Sequence, residues 1–122
     1  MRAVNIITKK EVAIKIIRSD EILMRAGQKE CAILQKLNDT DKTEKKHVIR
    51  YLGSFEFRKH LCLVFDPMDQ DLRETLKMFG KKIGLSLEAV RSYAIQIFIA
   101  LSHLKKNRII HADSKNFFNL LF

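Results

Sequence analysis

The sequence predicts an α+β domain, and three observations carry that expectation. Residues 11–17, 48–57 and 61–65 are short runs rich in β-branched and aromatic side chains, the composition of half-buried strands. Residues 19–37 and 86–106 open on helix-capping side chains and continue with apolar residues three and four apart. The strands come early and the longest helix late, which gives a small antiparallel sheet with one helix followed by a helical part.

Composition narrows the class. A chain of 122 residues is the size of one domain, and 47% hydrophobic with 30% charged residues is globular rather than disordered. One Pro and four Gly exclude collagen-like and proline-rich designs. The apolar stretches all stop short of the roughly 18 residues that a membrane span needs. Residues 4–7 are too short for a secretory signal and run into Thr8-Lys9-Lys10-Glu11. Cys31 and Cys62 cannot form a disulfide framework, so a reducing, intracellular compartment is expected. The net charge of +9 suits phosphate-bearing partners. Its bases are dispersed, with no aromatic-interleaved basic groove, which argues against dedicated nucleic-acid binding.

Taken in order, residues 11–17 form the first strand: the run is too short and uncapped for a helix. Ser19 offers an N-cap hydroxyl, with Asp20 and Glu21 where the helix dipole favours acids, and the helix ends near Asn38-Asp39. Residues 48–57 and 61–65 read as a hairpin joined at Arg58-Lys59-His60, and Pro67 breaks the pattern. A short helix over 72–79 closes at Gly80. Ser86 caps the long helix, which is apolar on most of its circumference and so expects to lie within a larger body.

Two charges fall among apolar neighbours. In the first strand Lys15 shares its face with Ala13 and Ile17, and Glu30 interrupts the helical stripe Leu23, Ala26, Leu34, Leu37. Buried charges are costly unless paired, so either Lys15 and Glu30 meet between strand and helix, or Lys15 snorkels and Glu30 sits at the stripe's margin. A second cluster, His111, Asp113 and Lys115, alternates after the long helix. There a carboxylate can take a hydroxyl proton while the ammonium neutralises phosphate charge, although a solvated turn is the commoner use of such residues. The four His and two Cys show no zinc-type spacing.

Together these residues resemble a protein kinase. Val12-Ala13-Ile14-Lys15 is similar to the V-A-I-K strand, Glu30 falls where the partner glutamate of the next helix belongs, and His111-Ala112-Asp113-Ser114-Lys115 is similar to the start of the catalytic loop. Glu11-Val-Ala-Ile-Lys-Ile-Ile-Arg18, Leu34-Gln-Lys-Leu-Asn-Asp39, His60-Leu-Cys-Leu-Val-Phe-Asp-Pro67, Asp71-Leu-Arg-Glu74, Ala89-Val-Arg-Ser-Tyr93 and Ile110-His-Ala-Asp113 point to the serine/threonine kinases of the pre-mRNA-processing factor 4 type, a splicing family. Ala112, where most kinases carry Arg, is a feature of that family. The resemblance implies a kinase small lobe over 1–66, then the hinge, the first large-lobe helices and the start of the catalytic loop over 67–122, an incomplete kinase domain.

The same resemblance implies the roles. Lys15 would hold the ATP phosphates, oriented by Glu30; Ala13 would lie against the adenine; Phe65 would be the gatekeeper, with Asp66 to Met68 as the hinge. Asp113 would be the base for a substrate Ser or Thr hydroxyl, and Lys115 would stabilise the transferred phosphoryl group. ATP, Mg²⁺ and protein substrates, splicing factors among them, follow from the family, as does a nuclear location (otherwise cytoplasmic); no membrane partner is implied.

The departures are as informative. No G-x-G-x-x-G precedes Lys15; Asn116 takes the place of the loop proline and Phe118 that of the magnesium-binding asparagine, so only a bulge would bring Asn119 to the metal. No D-F-G follows. The expectation is therefore a truncated, inactive fragment that self-associates through the apolar sides of its long helix, and the competing reading is a catalytically dead binding or decoy module.

Overall fold

The computed structural model describes residues 1–67, 72–80 and 83–110. Seven elements follow in chain order: strands β1 (Arg2–Val4) and β2 (Glu11–Ile16), helix α1 (Glu21–Thr40), strands β3 (Tyr51–Phe57) and β4 (His60–Phe65), and helices α2 (Leu72–Phe79) and α3 (Leu87–Lys106). The strands make one sheet in the order β1-β2-β4-β3, antiparallel at every pairing. Two compact units result, one of Met1–Lys42 with Arg50–Pro67 and one of Thr43–Ile49 with Met68–Phe122.

In the first unit the sheet lays one face on α1. The register Ala13↔Phe65, Lys15↔Leu63 puts these four side chains on a common face, with Ile17 and Leu61 continuing it. Against that face α1 brings Gly27, Leu34 and Leu37. Leu37 and Leu63 are the largest fully buried side chains, and the Tyr51 ring packs at 60° against Phe65 with centroids 5.9 Å apart. Gly27 has a steric reason: a Cβ there would run into the Ile17 Cδ1 methyl and lie 2.9 Å from Leu61 Cδ2. The helix approaches the sheet closely because that position carries no side chain.

Several boundaries differ from the sequence expectation. The N-cap of α1 is Asp20 rather than Ser19: its carboxylate accepts from the backbone N–H of Ile22 and Leu23 at 2.9 and 3.1 Å. The helix runs past Leu37 to Thr40, whose hydroxyl donates back to the Lys36 and Leu37 carbonyls. β3 starts at Tyr51, Val48 makes only an isolated bridge, and β2 ends at Ile16. β1 was not expected; three residues are too few to show a period, and pairing with β2 alone makes them a strand. The stripe on α1 is also rotated, since Leu23 and Ala26 are exposed and Gly27 takes the buried place. Side-chain hydrophobicity misplaced that stripe because the residue closest to the sheet has no side chain.

In the second unit the long helix follows its caps. Ser86 Oγ accepts from the Ala89 N–H at 3.2 Å, and the Asn107 side chain donates to the His103 carbonyl at 2.9 Å. Its buried residues are Tyr93, Gln96, Ala100, His103 and Leu104, whereas Leu87, Val90, Ile95, Phe98 and Leu101 are exposed. Gly80 ends α2, donating to the Leu76 carbonyl at 2.8 Å.

Candidate functional site

Two elements converge on Lys15. It lies on the second-last position of β2 because the β-branched run around it forces an extended backbone, and Glu30 lies midway along α1, one turn beyond the close approach at Gly27. The Lys15 ammonium donates to both oxygens of Glu30, at 2.7 and 2.9 Å. The pair anticipated from the sequence is therefore formed.

Its environment is a correction. The two side chains are 54% and 38% exposed, so this is not a buried cation and anion held together by the cost of desolvation. Exposed ion pairs contribute about 0–1 kcal/mol. The contact fixes where the ammonium points while leaving it open to a further anion.

The other expected residues of the first unit lie on the same framework. Ala13 is half-buried and stands opposite the buried Phe65 in the β2–β4 register. Asp66 follows Phe65 directly, and its backbone N–H is committed to the Arg50 carbonyl at 3.1 Å. Of this segment's first residue the backbone carbonyl, and not the N–H, is left for a hydrogen bond to a ligand. Met68, Asp113, Lys115 and Asn119, with His111 and Ala112, lie outside the described residues. Among the described residues no group of three or more His, Cys, Asp or Glu side chains could hold a metal ion. A cavity of about 440 Å³ in the second unit is lined, among the described residues, by Lys46, Ile95, Phe98, Ser102, His103 and Lys106 with others, and Ala13, Lys15, Glu30, Phe65 and Asp66 are not among them.

Two positioning residues escaped the sequence reading. Gly27 has a visible signal, a lone glycine costing about 1 kcal/mol inside a helix, which calls for a packing reason. Asn38 has none: its amide donates to the Tyr51 carbonyl at 2.5 Å and ties the end of α1 to the start of β3. Tyr51 itself is buried, and desolvation pushes its phenol above the ordinary 10.0; the neighbouring Cys31 thiol adds to the rise, and Ser54 opposes it. Burial raises Tyr93 in the same direction. A phenol held neutral in the fold ionises first in the unfolded chain, so its contribution is complete below about pH 10 and is lost as pH climbs through the raised folded value. Thermal melts between about pH 8 and 11 are expected to fall on the alkaline side, and Tyr51→Phe is expected to flatten part of that slope. An unchanged slope in the variant would remove Tyr51 from the account.

The comparisons with known proteins agree with this geometry. The family model described as protein kinase domain matches residues 1–122. The chain is similar to the serine/threonine-protein kinase prpf4B of Dictyostelium discoideum, 48% identical over 110 residues, which are 88% of this chain and 14% of that protein. It is 47% identical over 103 residues to the serine/threonine-protein kinase prp4 of Schizosaccharomyces pombe, covering 84% of this chain and 22% of that one. It is 40% identical over 104 residues to the human dual specificity tyrosine-phosphorylation-regulated kinase 3, covering 85% and 18%. A crystal structure of a kinase domain superposes with a TM-score of 0.78 at 29% identity, over 87% of this chain and 30% of the other. The chain thus spans a small part of the relatives it matches, and within that part a strand lysine bound to a helix glutamate sits on an antiparallel sheet of the same fold. The chain belongs to the protein kinase domain family.

Proposed function

We propose that the chain is the small-lobe and early large-lobe portion of a serine/threonine protein kinase of the splicing type, transferring phosphate from ATP to protein hydroxyls. The observation that carries this reading is the Lys15–Glu30 contact at 2.7 and 2.9 Å, an ammonium held in place by a carboxylate yet half-exposed. Protein kinase domains as a family use ATP with Mg²⁺ and act on protein substrates. In this chain Lys15 would pair with the α- and β-phosphates, oriented by Glu30. Ala13 would lie against one face of the adenine, with Phe65 closing the back of that space. The Asp66 carbonyl is suited to accept from the adenine amino group, since its N–H is already bonded, and Met68 would complete the hinge.

For the transfer itself, Asp113 would accept the proton of a Ser or Thr hydroxyl as its oxygen attacks the γ-phosphorus and the bond to the ADP oxygen breaks. Lys115 would neutralise charge on the moving phosphoryl group. Mg²⁺ supplies further neutralisation of the phosphate oxygens when bound, with Asn119 the candidate ligand in this chain; the roles assigned to Lys15, Glu30 and Asp113 do not run through it. Splicing factors as substrates and a nuclear location are what the resemblance to the splicing kinases implies, and they belong to the same proposal.

The test is phosphate transfer from radiolabelled ATP to a basic protein substrate by the protein that carries this chain. Asp113→Ala is expected to lower the rate by about a hundredfold or more, the usual contribution of a general base. Wild-type protein that transfers no phosphate at any ATP concentration would overturn the enzyme reading in favour of a binding module.

A further inference from the structure

The turn between β3 and β4 is made of two residues, with Phe57 and His60 as the closing pair. Arg58 and Lys59 occupy it with φ of 48° and 64°. Positive φ at both positions defines the type I′ hairpin turn, for which Asn-Gly and Asp-Gly are the favoured sequences. Two long cationic side chains are held in a backbone conformation that disfavours them. Strain kept in this way is a reason to ask what the side chains are for.

Three further features meet at that end of the sheet. First, β3 is an edge strand, since the order is β1-β2-β4-β3. In a two-residue hairpin the closing pair is hydrogen-bonded, and bonded pairs alternate with non-bonded ones. Phe55↔Cys62 is therefore a bonded pair, and Ser54 and Glu56 turn their backbone N–H and C=O away from β4. Among the described residues, Asn38 occupies the edge at Tyr51 and not at Ser54 or Glu56. Second, Phe55 and Phe57 are 46% and 57% exposed on the face away from α1, where Cys62 of β4 separates Phe55 from Ile16 of β2. Third, Arg58 lies over the Phe57 ring at 5.2 Å, and Arg18, just past the Ile17 N–H bond to the Leu61 carbonyl, comes to the same end. Arg58, Lys59 and Arg18 place three cations there, with the carboxylate of Glu56 on the same hairpin and that of Asp20 two residues past Arg18. Lysines placed along an edge usually discourage pairing; here the cations are at the tip, and residues 52–57 carry a single charge.

We infer that the β3 edge is a docking site for an extended acidic segment of a partner protein, which adds as a strand beside Ser54 and Glu56. Alternate apolar side chains of that segment cover Phe55 and Phe57, and its acids meet Arg58, Lys59 and Arg18. The apolar face and the small number of cations favour a peptide over a nucleic-acid backbone, whose affinity rests on many phosphate contacts. The inference is independent of phosphate transfer.

The test uses the full chain and a fluorescein-labelled peptide of about ten residues alternating valine with aspartate, read by anisotropy and by amide NMR. Binding is expected to weaken at least about tenfold between roughly 50 and 500 mM salt, with amide hydrogen exchange slowed at Ser54 and Glu56. The double variant R58N/K59G gives the turn its favoured sequence, so it is expected to melt at a higher temperature than wild type while binding the peptide at least about tenfold more weakly. A merely structural role for the two cations would lower the melt. The inference is overturned by any of four results: no binding, binding unchanged in R58N/K59G, equal binding of a valine–lysine peptide, or tighter binding of an oligouridine. A dimer that buries the same amides and excludes the peptide would also overturn it.

Discussion

Lys15→Met is expected to lower phosphate transfer from ATP by about a hundredfold or more in the protein that carries this chain, with little change in its melting temperature. On the proposed function, the rate effect follows from removing a positioned positive charge from the phosphate site, typically a loss of about 10²–10³. The small effect on stability follows from exposure: the Lys15 and Glu30 side chains are 54% and 38% exposed, and pairs of that kind contribute about 0–1 kcal/mol. Glu30→Gln is expected to cost less, because the ammonium remains and only its aim is lost. The pair also makes a double-mutant cycle. If Glu30 acts through Lys15, the variant with both changes transfers phosphate no more slowly than Lys15→Met alone. Additive losses would mean that Glu30 has a separate task, and an unaffected rate in Lys15→Met would remove the lysine from the phosphate site.

The largest effect on stability is expected at Leu63. It is fully buried at the centre of the sheet, on the strand between β2 and β3, with its side chain on the face that packs against α1. Leu→Ala in such a place removes apolar burial and leaves a cavity, at a cost of about 2–5 kcal/mol. Against a total stability of about 5–15 kcal/mol for a typical domain, that is a large fraction. The change should appear as a lower urea midpoint with an unchanged slope. Ile16→Ala, on the neighbouring strand but 52% exposed and on the opposite face, is the control and should cost well under half as much. Equal losses at the two positions would mean that the outer face of the sheet is covered in solution.

Much of the fold was legible because strands and helices announce themselves by local chemistry. The β-branched run around Lys15, the caps at Ser86 and near Asp20, and the glycine after Phe79 each act within a few residues, so periodicity and capping found them. What was missed depends on partners far along the chain. Arg2–Val4 is a strand only because Glu11–Ala13 lie beside it. Val48 does not join β3, whose register shifts between Tyr51 and Gly53. The buried stripe of α1 turned on Gly27, where close approach rather than hydrophobicity decides burial.

The candidate site divides in the same way. Residue order and type determined that this chain carries a strand lysine, a helix glutamate and a His111–Lys115 motif in the sequence of a protein kinase, since those chemical types at those places are a property of the covalent chain. Whether the lysine and the glutamate touch, and whether water reaches them, was decided only by the packing of α1 on the sheet, chiefly on β3 and β4. Fifteen positions separate the two groups along the chain, and their 2.7 Å contact exists because a missing side chain at position 27 lets the helix come close enough. Solvent exposure is a property of that packing too, which is why a pair expected in the interior stands half in water.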